Sequence, residues 1–242
     1  MNALRRFWDS TIGKKIVMAV TGLVGVGFVV GHMLGNLQVF LGPGKFNAYA
    51  HFLRSLGELL WVIRAVLLAA VILHVVAAVQ LSRRRLVARP VAYRRGSQHE
   101  VSTFASRTIR WGGLLLLAFI VFHILHFTTL TIFPSYSTTD VYANVVRGFS
   151  VWWVVLLYVA AMVALGLHLY HGIWSSLRTL GAAKASSNPL RRPAAAALAV
   201  IVWLGFTIIP LAIFAGLVGP QPAPPRSSAP TAAASAPPRV SN

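Results

Sequence analysis

Six of the eight histidines, His32, His74, His123, His126, His168 and His171, lie inside long apolar runs. Imidazole carried into hydrocarbon needs a partner, so each one either hydrogen-bonds a neighbouring helix or holds a ligand or a proton. A single such residue reads equally well as a helix–helix contact. Six of them on four separate runs ask for a common task, and metal ligation and proton relay are the tasks neutral imidazole performs. Other chemistry is scarce. The four acids, Asp9, Glu58, Glu100 and Asp140, are scattered, which argues against a carboxylate metal cage or a paired-carboxylate hydrolase. The absence of cysteine excludes disulfides, thiolate-bound zinc, iron–sulfur clusters and thioether-linked cofactors within this chain. His51 and His99 fall in loops and read as solvated or interfacial.

The elements that must position these histidines are set by composition. Of 242 residues, 57% are hydrophobic and 11% charged, and the mean hydropathy is +0.70. A soluble domain carries about twice that charged fraction. The chain is therefore expected to be an all-α integral membrane protein, a bundle of five transmembrane helices. The runs are about Ile16–Leu41, Leu59–Leu81, Arg110–Phe133 (ended by Pro134), Phe149–Leu177 and Ala194–Val218, each long enough to cross roughly 30 Å of hydrocarbon. The first is too long and too glycine-rich for a cleaved signal. A Gly-Pro-Gly loop and the amphipathic stretch FNAYAHFLRSL separate the first two runs, and a short polar loop with Tyr136 and Asp140 separates the third from the fourth. Domain boundaries follow: a polar segment over 1–15, the membrane domain over 16–218, and a Pro/Ala-rich tail over 219–242 expected to be disordered.

The formal net charge of +18 could suggest nucleic acid, but its placement argues for no nucleic-acid partner. Basic residues cluster in the N-terminal segment (Arg5, Arg6, Lys14, Lys15), the loop after the second run (Arg83, Arg84, Arg85, Arg89, Arg94, Arg95) and the linker before the fifth (Lys184, Arg191, Arg192). The other two loops are nearly neutral. Positive charge marks the cytoplasmic side, so the N-terminus is expected in the cytoplasm and the C-terminus outside a cell inner membrane crossed several times.

Depth then sorts the histidines. His32 lies 17 residues after Lys15, and His126 lies 16 after Arg110, which places both about 25 Å from the cytoplasmic boundary. On the returning helices, His74 lies 9 residues before Arg83 and His168 lies 10 before Arg178, roughly 14 Å from the same boundary. Two level pairs, each from two helices, suit two bis-histidine haems b stacked along the membrane normal. His123 and His171 compete, each one turn from a preferred ligand; swapping both would break the level pairing, and otherwise they would serve as propionate partners or line the bundle. Arg64, near the outer end of its helix, would be neutralised by a propionate or by headgroups. Gly22, Gly25, Gly27, Gly31 and Gly35 would let a helix or a flat ring approach closely. Trp61, Trp152 and Trp153 read as interfacial belt residues.

The segments GKKIVMAVTG, HMLGNLQVF, GKFNAYAHFLRSL, SRTIRWGG, HILHFT and HLYHGIWSSLRTLG, in this order, resemble the single five-helix, diheme cytochrome b membrane-anchor subunit of succinate dehydrogenase and fumarate reductase. The resemblance spans about residues 10 to 218. It implies that His32 and His126 hold the distal haem and His74 and His168 the proximal one. It also implies a flavoprotein and an iron–sulfur protein docked on the cytoplasmic side, with electrons passing from succinate to a quinone, menaquinone in this subtype. The chain itself would carry no dicarboxylate site, and the complex could form a higher oligomer. Relatives of this kind use an acid at the outer end of the second helix near quinone, and Glu58 is the acid in that region here. An interfacial glutamate at a helix start is the simpler reading of the same residue. Rival functions are a cytochrome b serving a hydrogenase, formate dehydrogenase or ferric reductase, and a transporter whose histidines relay protons or bind metal.

Overall fold

A computed structural model describes residues 2–88, 104–133, 135–182 and 191–220. Its described elements are helical: α1 (Ala3–Asp9), α2 (Thr11–Leu37) continued by a 3-10 turn (Gln38–Leu41), α3 (Pro43–Ser55), α4 (Glu58–Val87), α5 (Phe104–His123) continued by a π turn (Ile124–Thr128), α6 (Val141–Phe149), α7 (Trp152–Thr179) and α8 (Arg191–Phe214). Five of these, α2, α4, α5, α7 and α8, are long and apolar enough to cross a membrane. Their most apolar windows reach mean hydropathies between 1.9 and 2.6. Arg89, Arg94, Arg95, His99, Glu100, Pro134, Lys184 and the tail from Gln221 onward lie outside the described residues.

The bundle is centred on α2 and α7, which pack against each other and both against α8. Peripheral α4 packs chiefly on α2, and α5 chiefly on α7. Along its outer side α4 exposes Val62, Val66, Leu68 and Ile72, and a helix apolar all round is a helix whose solvent is lipid. Small residues set the close crossings. A Cβ on Gly205 of α8 would stand 2.4 Å from Met33 Sδ of α2, and one on Gly35 would stand 2.6 Å from the Tyr49 ring of α3.

Boundaries differ from the sequence expectation for local reasons. The arginines 83–85 extend α4 by six residues instead of ending it; Arg is a good helix former, and cations suit a helix C-terminus. Arg84 also reaches the Asp9 carbonyl (2.7 Å) and Thr11 Oγ1 (3.2 Å), tying this end of α4 to the start of α2. The third span starts earlier and stops earlier than expected, covering Phe104–Thr128. It ends where Thr129 and Thr131 turn their N–H groups onto the Ile124 and Leu125 carbonyls and Leu130 takes a φ of 58°.

A helix also forms where a loop was expected. Asp140 caps α6 by accepting from the Ala143 N–H (3.0 Å) and takes a second hydrogen bond from Asn47 Nδ2 of α3 (3.0 Å). Asn47 Oδ1 in turn accepts from the Tyr142 N–H (3.0 Å). These donors hold the Asp140 carboxyl below its usual range, the Ala143 N–H first and Asn47 second.

Candidate functional site

Four spans bring histidines to the bundle interior in two facing pairs. His74 of α4 and His168 of α7 have ring centroids 6.1 Å apart, and His32 of α2 and His123 of α5 have centroids 5.7 Å apart. Neither α4 and α7 nor α2 and α5 are close-packed along their lengths, so each pair joins helices that other elements hold in place. Since α2 and α5 end near His32 and His123, this pair lies toward the end of the bundle that carries α3 and α6. The His74–His168 pair lies deeper toward the other end. The His74–His168 pair abuts small residues on two neighbouring helices, α2 and α5. A Cβ on Gly22 would approach His74 Cε1 to 3.2 Å, and one on Gly113 would approach His168 Cε1 to 3.8 Å.

Hydrogen bonding indicates which ring nitrogens have spare lone pairs. The Thr21 hydroxyl spends its proton on the Val17 carbonyl (2.7 Å), so its contact with His74 Nδ1 at 3.3 Å is one in which Nδ1–H donates. That tautomer leaves His74 Nε2 as a bare acceptor. His168 Nδ1 is buried with no hydrogen-bond partner among the described residues. His123 engages Nδ1 with the Tyr158 hydroxyl at 3.1 Å, leaving Nε2 uncommitted. A metal–imidazole bond of about 2 Å on each side of an iron puts facing ring centroids on the order of 6 Å apart. Both pairs meet that spacing, and neutral imidazoles are the donors a b-type haem takes. No group of three or more His, Cys, Asp or Glu side chains suited to a bare metal ion occurs among the described residues.

The other expected site residues fall elsewhere. His126 is completely buried within the π turn, and both its nitrogens are engaged: Nδ1 with Tyr158 Oη at 3.0 Å and Nε2 with Tyr136 Oη at 3.1 Å. Among the described residues the rings that His32 contacts are Phe28, His123 and Phe206. His171, half-buried, lies beside Trp174 with ring centroids 6.4 Å apart. The exposed Arg64 guanidinium rests 4.9 Å over the Trp61 ring, one turn earlier on α4. Glu58 opens α4 directly after Gly57 (φ 53°) and is exposed. It stands at the bundle end nearer the His32–His123 pair, because α2 ends where α4 begins.

Sequence reasoning passed over Tyr158, Tyr136 and Thr21. Tyr158 is 6% exposed in the second turn of the fourth span, and a buried hydroxyl there carries the same demand for a partner as the histidines. Burial pushes the Tyr136 phenol up to about 12, so it keeps its proton at any physiological pH. Gly148 makes room for this cluster; a Cβ there would stand 2.8 Å from Tyr136 Oη and 3.0 Å from His126 Nε2.

Residues 85–208 match the family model of the succinate dehydrogenase/fumarate reductase transmembrane subunit. The chain belongs to that family. The match covers the third and fourth spans and most of the fifth, and includes His123, His126, His168 and His171. His32 and His74 lie before that stretch, which takes in only the final turn of α4. As a succinate dehydrogenase/fumarate reductase transmembrane subunit, the chain is the membrane anchor of an enzyme complex and a multi-pass membrane protein, consistent with its five apolar spans. Searches of curated proteins and of solved structures returned no match.

Proposed function

We propose that this anchor subunit is a diheme cytochrome b. It carries electrons between a flavoprotein/iron–sulfur dehydrogenase on the cytoplasmic face and a quinone, menaquinone by the resemblance, in the inner membrane. The observation that carries the reading is the presence of two facing histidine pairs on four spans. His74 and His168 hold the haem nearer the cytoplasm. For the haem nearer the outer face, His32 is paired with His123, because the His123 ring lies beside it with its Nδ1 alone hydrogen-bonded, while His126 has both nitrogens bonded to tyrosines.

Each haem supplies one-electron chemistry at iron, with a potential set by its ligands and their surroundings. The chain's own residues fix imidazole orientation, exclude water and hold the two ligand pairs at different depths. Thr21 orients His74 through Nδ1, and an outer hydrogen bond of this kind commonly raises the basicity of a metal-bound imidazole. Arg64 has its own partner in Trp61, so a propionate role for it would require the side chain to turn inward.

Glu58 completes the proposal as the group that takes up or releases the quinol proton at the outer end of the bundle. Glu58→Gln is expected to slow quinone turnover at least tenfold, about 1.4 kcal/mol of barrier, with unchanged haem spectra. Unchanged turnover would sink that role. Haem ligation is tested by replacement. His74→Leu, His168→Leu, His32→Leu and His123→Leu should each remove one haem from the purified complex, whereas His171→Leu should keep both.

A further inference from the structure

Tyr136, His126, Tyr158 and His123 form an unbroken chain of hydrogen bonds of 3.1, 3.0 and 3.1 Å. Three of its members are nearly or completely buried: His126 at 0%, Tyr158 at 6% and Tyr136 at 9% exposure. A buried chain of this kind has a direction, because each phenol has one proton to give and each neutral imidazole donates at one nitrogen and accepts at the other. Two directions exist. In one, His123 Nδ1–H donates to Tyr158, Tyr158 donates to His126 Nδ1, and His126 Nε2–H donates to Tyr136. In the other every bond is reversed, which puts the His123 proton on Nε2 and denies that nitrogen to a metal.

We propose that Tyr158 and His126 are positioning residues for the outer haem, a hydrogen-bond chain that runs outward from His123 and fixes its Nε2 as the ligand atom. The inference rests on the haem reading above. It assigns His126 a role distinct from ligation and explains why an imidazole at this depth is completely buried between two phenols. Its consequence is electronic as well as steric. A phenol oxygen that accepts from Nδ1–H strengthens the ligand's basicity and favours ferric iron, so the chain lowers the potential of this haem alone. Relay through His126 to Tyr136 extends the polarisation, since chained hydrogen bonds reinforce one another in a low dielectric.

The test is redox titration of the purified complex, with low-spin EPR, for the wild type, Tyr158→Phe and His126→Asn. The haem missing from His123→Leu identifies the outer one. Tyr158→Phe should keep both haems and raise the potential of the outer haem by up to a tenfold change in the oxidised-to-reduced ratio, about 59 mV for one electron. The inner haem should not move. Asn at 126 can still accept from Tyr158 at the Nδ1 position, though it is too short to reach Tyr136, so His126→Asn should keep both haems and a potential closer to wild type than Tyr158→Phe. The inference is overturned if Tyr158→Phe moves neither potential or both equally, or if His126→Asn loses a haem. A wild-type complex without haem would instead remove the reading on which the inference stands.

Discussion

At the scale of single residues, the proposed chemistry depends on which nitrogen of each imidazole is left with a lone pair. His74 and His123 engage Nδ1 with a hydroxyl and have no hydrogen bond at Nε2 among the described residues, while His126 engages both nitrogens. His123→Leu is therefore expected to abolish one haem signal in a reduced-minus-oxidised spectrum, and His126→Asn to leave both. The reverse pattern would return ligation to His126. That six histidines were intramembrane candidates was legible from the runs around them. The choice between His123 and His126 was not, because depth was counted from Arg110. The helix in fact begins at least as early as Phe104, so Arg107, one turn before Arg110, marks the polar end equally well. Counted from Arg107, His123 stands level with His32. A one-turn ambiguity in a helix boundary translates directly into a one-turn ambiguity in the ligand, which the replacements of His123 and His126 decide.

At the scale of elements, the outer end is organised by short helices that hydropathy does not reveal. The amphipathic stretch now seen as α3 was legible as such, but α6 was not, because a nine-residue helix yields no span-length signal. Its clue was the capping aspartate ahead of an apolar run, Asp140 before Val141, Val145 and Val146. Asp140→Ala removes the cap of α6 and its bond to Asn47, and should cost about 1 kcal/mol, read as a lower thermal midpoint in detergent. The sign of the pH dependence follows. The folded carboxyl is held below its ordinary value of 3.8, so its stabilisation is fully present above that value and is lost as pH falls through the depressed one. Wild type and Asp140→Ala should differ at neutral pH and converge in strong acid. A second element-scale test concerns the contact of α2 with α3. Gly35→Ala would force a methyl to 2.6 Å from the Tyr49 ring and should destabilise the protein by roughly 1–3 kcal/mol.

At the scale of the whole molecule, five spans followed from composition alone, and the family match places them in a succinate dehydrogenase/fumarate reductase membrane anchor. Which spans are the more buried was not legible, because hydropathy does not distinguish α4, exposed along most of its length, from α8, which buries one face on α7 and α2; the mean hydropathies of their most apolar windows are 2.6 and 2.5. Orientation rests on the basic clusters and is open to a direct check, since the chain has no cysteine to confuse labelling. Asn2→Cys should resist a membrane-impermeant thiol reagent added outside intact cells, and Thr138→Cys should react; the opposite pattern would invert the bundle. The central claim, two haems on two facing histidine pairs, is tested most directly by counting haem per chain in the purified complex. Two b-type haems for each copy of this subunit is the predicted result, and none or one would contradict it.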